Sequence, residues 1–288
     1  MIESMYKHLS FRNYSKHTVS NYIKEMNHIC CHYQCSPKVL NQHQIQDYLY
    51  LLVSNKKFGP NNIAVAIASF TFFNHNIAKT PEKIKLLRSP RIPNRVPFVL
   101  SPQQVYQFIE SLSTLRDRVI VQMLFSTGIR VGECVGLKRQ DIHPSRMLIR
   151  IVRGKGQKDR YVPLSPMLLG QLEQYYKQYD PLDYIFYGRS KEEPMNRITV
   201  NRIIWKANFI LKTKEKITPH TFRHSFATML TEEGENLFTI QKILGHKSIN
   251  STFRYIKASK TKLKSCINPL DKIYNDNNES KPYLSANQ

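Results

Sequence analysis

Acidic side chains are scarce in this chain: 21 Asp plus Glu stand against 43 Lys plus Arg, a formal charge of +22 over 288 residues. An excess of that size is more than solubility needs and favours a phosphate-rich partner, a nucleic acid, over a merely soluble basic protein. Binding to a membrane surface would call for an amphipathic basic helix or a lipidation signal, and neither is present. Long apolar runs are missing too. The richest, IAVAIASFTFF at 63–73, is too short and too interrupted to span a bilayer, and the opening MIESMYKHLS lacks the apolar segment of a secretory signal. A cytoplasmic protein without membrane contact is expected. Cysteines number five with no CxxC pair, which argues for reduced thiols over a disulfide framework. No P-loop occurs, so nothing points to ATP.

His28, Cys31, His32 and Cys35 fall at i, i+3, i+4 and i+7 and could share one helical face. Four ligands from a single helix rarely close a tetrahedron, so an ordinary packed face is expected and no metal. Cys30 and Cys134 read as small buried residues.

At this length the chain can hold two domains, each with its own core. The first reads as short amphipathic helices: about Lys16 to Gln34, one after Asn41 and one after Gly59. Asn41 with Gln44 forms a plausible capping box, Pro60 suits a first helical position, and Val19, Ile23, Met26 and Ile29 keep helical spacing. Residues 1–90 carry 11 Lys plus Arg and 4 acids, a net of +7, which suits a module gripping DNA backbone. Phe70, Phe72 and Phe73 at helical spacing read as core. TPEKIKLLRSPRIPNRVPFV at 80–99 then breaks the helical pattern with four prolines and marks a linker at 81–98.

The second part restarts at Ser101, Pro102 and Gln104, the signature of a capped helix running to about Leu112. A further helix around Asp117 to Ser126 ends at Thr127 and Gly128, and Arg130 follows at the turn, with Glu133 three residues on to fix its guanidinium. MLIRIVRGKGQKDRYVPLS switches to strand chemistry. Leu148 to Val152 and Arg160 to Leu164 make a hairpin whose tip carries Lys155 between Gly154 and Gly156. TPHTFRHSFATML places Thr218 as an N-cap, Pro219 at the first helical position, and His220 and Arg223 in the first turn. Cations there oppose the helix dipole, a cost that makes sense if an anion such as phosphate sits among them. Gly245 closes another helix with His246 just beyond, and Ser251 is placed to cap a short helix carrying Tyr255.

The ordered set Arg130, Lys155, His220, Arg223, His246 and Tyr255 resembles that of the tyrosine recombinases of the phage-integrase superfamily, in the two-domain Xer-like layout. The similarity covers essentially residues 10–270. It rests on TGIRVGE, GKGQKDRYVPL, HTFRHSFAT, LGH and the tyrosine nine residues after His246. Lys257 departs from the histidine that relatives often carry two residues past the tyrosine, a position outside the six. The resemblance implies a mainly α fold with a small antiparallel β-sheet in the C-terminal domain, closing as a two-domain clamp on DNA. Its parts would be a SAM-like core-binding domain at 1–80, the linker, a catalytic domain at 99–270 and a polar tail at 271–288.

By the same resemblance Tyr255 attacks the scissile phosphate and forms a 3′-phosphotyrosyl bond. Arg130 and Arg223 clamp the phosphate, Lys155 protonates the leaving 5′-oxygen, His220 assists proton transfer from Tyr255, and His246 hydrogen-bonds the phosphate. Fixed cations at a phosphoryl group gaining charge stabilise the transition state over the ground state. Neither metal nor ATP is needed. The implied partner is double-stranded DNA with paired recombination sites, bound by a homo-tetramer and with room for accessory proteins, in a chromosome or mobile element. A segment at about 258–270, with Leu263, Ile267 and Leu270 at helical spacing, would dock on a neighbouring subunit. Two other classes remain open: a non-catalytic architectural or regulatory DNA-binding protein on the same fold, and a topoisomerase-like monomer that needs no paired sites.

Overall fold

Capping chemistry sets where most helices begin in the computed structural model, which describes residues 1–54, 58–84, 97–152, 159–246 and 248–258. The chain divides into two compact units, Met1–Arg95 and Val96–Gln288.

The first unit is helical: α1 (Ile2–Phe11), α2 (Lys16–Tyr33), α3 (Gln42–Ser54) and α4 (Pro60–Phe73), which runs on into a π-helical turn, Asn74–Ala78. The Ser15 hydroxyl accepts from Thr18 N to start α2, and the Asn41/Gln44 box closes reciprocally at 2.9 Å in both directions before α3. Gln34 ends α2 in the left-handed region at φ 50°. Met26, Ile29, Phe70 and Phe73 fill the core, and the Ser69 hydroxyl donates to Tyr22 O at 3.0 Å to pin α4 on α2. The helix α1 is an addition to the sequence expectation, anchored by Met5 and Leu9, both fully buried.

Cys30 corrects another expectation. It is half-buried, because the buried stripe of α2 runs through Val19, Met26 and Ile29 and residue 30 lies about 100° around the helix from Ile29. The His28, Cys31, His32 and Cys35 face is not the packed one expected: His28, Cys31 and His32 are exposed, because the buried stripe of α2 lies elsewhere, and the His32 ring meets Tyr48, with centroids 5.4 Å apart. Among the described residues no group of three or more His, Cys, Asp or Glu is arranged to hold a metal ion, and no helix is long and apolar enough to cross a membrane. Residues 85–96 of the expected linker lie outside the described residues.

The second unit holds α5 (Pro102–Glu110), α6 (Leu115–Thr127), α7 (Val131–Val135), β1 (Ile142–His143), β2 (Leu148–Ile151), β3 (Arg160–Pro163), α8 (Pro166–Tyr179), α9 (Arg197–Ile210), α10 (Pro219–Glu232), α11 (Leu237–Leu244) and α12 (Asn250–Ala258). Among its described residues three strands form an antiparallel sheet in the order β1-β2-β3, with Ile149 opposite Val162 and Ile151 opposite Arg160. The strand β1, too short to read from alternation, extends the expected hairpin. Val119, Ile120, Val121, Met123 and Leu124 of α6 are all fully buried, so α6 is the central rod of this unit and α8 and α10 pack on it. Phe108 of α5 meets Phe222 of α10 edge-on at 5.1 Å.

Candidate active site

Gly128 caps α6 at φ +61°, and a Cβ there would lie 2.5 Å from Phe226 Cδ1 and 2.9 Å from Leu244 Cδ2. Only glycine lets the chain turn that tightly against α10 and α11. Arg130 follows as the N-cap residue of α7. Glu133 Oε2 accepts Arg130 N at 2.8 Å, and Oε1 accepts Arg130 Nη1 at 3.1 Å. The same carboxylate takes a two-pronged grip from Arg160 of β3, at 3.0 and 2.8 Å, while Arg160 Nε donates to Ile243 O in α11 at 2.7 Å. Burial pushes the Glu133 carboxyl up, but the Arg160 hydrogen bond, the Arg130 backbone N–H and both guanidinium charges outweigh it and hold it at about 2. The Glu133 carboxylate and the Arg160 guanidinium it grips thus tie α7, β3 and α11 around Arg130.

The capping expectation for α10 holds: the Thr218 hydroxyl accepts Thr221 N at 3.2 Å, and Pro219 opens the helix. Arg223, 3% exposed, donates from Nη1 to Gly128 O at 2.6 Å and from Nη2 to Leu244 O at 2.8 Å. Those carbonyls end α6 and α11, where helix dipoles are negative, so two helix C-termini hold this cation. Burial, then Arg130, pulls its guanidinium down to about 10, which leaves it charged at neutral pH. Two bonds from a group with five N–H leave donors over for a ligand. His220 opens onto the cleft. Burial on its protein side, then Arg223 and Arg130, lower its pKa below the usual 6.5, so the imidazole is neutral at pH 7.

Gly245 ends α11 at φ 64°, and His246 Nδ1 lies 2.9 Å from Thr252 Oγ1. The helix α12 begins at Asn250, so Ser251 sits inside its first turn and does not cap it; Ser248 Oγ takes the Asn250 N–H at 3.3 Å instead. Tyr255 is 1% exposed, its ring stacked on His246 with centroids 6.1 Å apart and planes 15° apart. Its hydroxyl lies 3.3 Å from Nδ1 of His224, a residue the sequence reading passed over. His224 stands one turn beyond His220, their rings 6.4 Å apart, and that i, i+4 spacing was the available signal. Arg160 was missed as well, although it lies inside the quoted GKGQKDRYVPL.

Arg130, Glu133 and His220 line one cleft of about 390 Å³ together with Ile151 and Val152, the last described residues before 159. Lys155 lies outside the described residues, as does the stretch from 259 onward. Five of the six residues singled out from sequence therefore belong to one neighbourhood, at the ends of α6, α10, α11 and α12.

Two arginines and two imidazoles gathered near a buried phenol define a class of site, a cationic centre with a tyrosine beside it. The phage integrase family signature spans residues 99–262, and the N-terminal SAM-like domain of phage integrases spans 1–84. Curated relatives include a tyrosine recombinase XerC of Listeria innocua, 34% identical with 89% of this chain and 92% of that one covered, and a tyrosine recombinase of Pseudothermotoga lettingae, 32% identical with 85% and 88% covered. Among solved structures, a XerA recombinase at 25% identity covers 98% of both chains with a TM-score of 0.52. A lambda integrase dimer bound to a COC′ core site, at 17% identity, shares the fold over 87% of this chain and 95% of that one with a TM-score of 0.72. The chain belongs to the phage integrase family, as a tyrosine-type site-specific recombinase.

Proposed function

We propose that this recombinase cuts and rejoins double-stranded DNA at paired sites, with Tyr255 as nucleophile and a homo-tetramer as the working assembly. The observation that carries the reading is the seat of Tyr255: a buried phenol 3.3 Å from the His224 imidazole and stacked on His246, beside a buried Arg223. Buried Tyr255 cannot meet a backbone phosphate without leaving that seat, so DNA binding must release α12 before cleavage.

In the proposed step Tyr255 Oη bonds to phosphorus and the bond to the 5′-oxygen breaks. The phenolic proton passes to His220, and the departing 5′-oxygen takes a proton from Lys155. Arg130, braced by Glu133, and Arg223, braced by two carbonyls, neutralise charge on the non-bridging oxygens without having to reorganise. His246 hydrogen-bonds the same phosphate. A 5′-hydroxyl from another strand reverses the step and rejoins DNA, so the bond energy stays in the phosphotyrosine. Residues 1–80 as core-binding domain, 99–270 as catalytic domain, and docking of 258–270 on a neighbouring subunit complete the proposal.

The test is a nicked suicide substrate made from DNA flanking the gene, with products run on a denaturing gel. A covalent adduct is expected with the wild-type chain and none with Tyr255→Phe. An adduct that persists in Tyr255→Phe assigns the nucleophile to another tyrosine, and DNA binding without any adduct favours an architectural protein.

A further inference from the structure

Arg197 is the first residue of α9 and fills no role in the chemistry above. Its side chain reaches across to α7. A Cβ built on Gly132 would lie 2.6 Å from Arg197 Cζ, 2.6 Å from Nη2 and 2.8 Å from Nε, so the guanidinium lies on the bare face of that glycine. Arg197 also lines the cleft that Arg130 and His220 share.

No carboxylate in the described lining of the cleft neutralises it. The two acids in the wall are committed elsewhere, Glu133 to Arg130 and Arg160, and Asp141, 3% exposed, to the Lys138 N–H at 3.0 Å. No carboxylate among the described residues pairs with Arg197. A cation in the first turn of a 14-residue helix also opposes the helix dipole. An exposed, unpaired arginine in the same cleft as Arg130, which takes the scissile phosphate in the reading above, is arranged for a second anion.

We propose that Arg197 binds a DNA backbone phosphate adjacent to the scissile one, and that Gly132 lacks a side chain so that this guanidinium can lie in the cleft. The inference rests on the recombinase reading and extends it by one phosphate. The contact is electrostatic and independent of sequence, so it positions the strand and does not choose the site.

Four full-length proteins test it on the nicked duplex: wild type, Arg197→Ala, Gly132→Ala and the double variant. Arg197→Ala is expected to flatten the slope of log K against log salt by about 0.9, the loss of one phosphate contact. A neutral methylphosphonate is placed in turn at each phosphate flanking the scissile one. At one position it should slow adduct formation by wild type and leave Arg197→Ala no slower than before. Gly132→Ala pushes the guanidinium aside, so it should slow the adduct in wild type and add nothing in the Arg197→Ala background.

An unchanged salt slope with undiminished methylphosphonate sensitivity in Arg197→Ala overturns the proposal, provided wild type forms its adduct. If wild type binds DNA and forms no adduct, the recombinase reading fails, and the salt slope alone then decides whether Arg197 meets a phosphate.

Discussion

Replacing Glu133 by glutamine removes one charge and leaves two guanidinium groups facing each other. The carboxyl is held at about 2 against an ordinary 4.5, and a displacement of that size corresponds to about 3 kcal/mol of folding stability at neutral pH. The figure needs little discount for solvent, because the Glu133 and Arg160 side chains are only 14% and 6% exposed. It also agrees with the roughly 3–5 kcal/mol lost when one partner of a buried ion pair is removed. A depressed carboxylate stabilises the fold above its unfolded pKa and loses that contribution as pH falls through its folded pKa. The wild-type advantage over Glu133→Gln should therefore be constant above pH 4.5 and vanish as pH falls through about 2. Urea denaturation at several pH values measures it, read by fluorescence of the single tryptophan, Trp205, which lies in the second unit. A Glu133→Gln midpoint equal to wild type at pH 7, or a difference that survives undiminished at pH 2, refutes the argument.

Gly128→Ala forces a left-handed residue and a methyl group 2.5 Å from the Phe226 ring; it should cost about 1–3 kcal/mol in the same denaturation assay and abolish adduct formation, since Gly128 O holds Arg223. His220, with its pKa lowered by burial, Arg223 and Arg130, predicts an acid limb in the cleavage rate with a midpoint below 6.5. His220→Gln should remove that limb from the pH–rate profile of adduct formation; a limb that stays assigns the titration to another group. Tyr175→Phe deletes a buried hydroxyl that donates to Ile185 O at 2.9 Å, so it should lower stability by about 1 kcal/mol in urea and leave the adduct rate unchanged.

What could be read from the sequence was local. The Ser101, Asn41 and Thr218 caps and the Gly128 and Gly245 turns each involve residues within a few positions of one another, and all form. Arg160 could not be read that way, because its partners stand 27 and 83 residues away in α7 and α11. His224 meets Tyr255 across 31 residues, so its spacing from His220 could suggest a shared face but not the contact.

The cations in the first turn of α10 show the difference most clearly. Against the α10 dipole alone, Arg223 looks like a cost that only a bound anion can offset. In the fold, the carbonyls ending α6 and α11 already supply part of that offset, at 2.6 and 2.8 Å. The phosphate is therefore not the sole offset for Arg223. Its guanidinium is oriented before DNA arrives, and a donor fixed in advance stabilises a transition state without the cost of turning toward it. Gly128 and Leu244 thereby make the position of Arg223 a property of the fold, which is why the motif needs a glycine at the end of α6 as much as an arginine in α10.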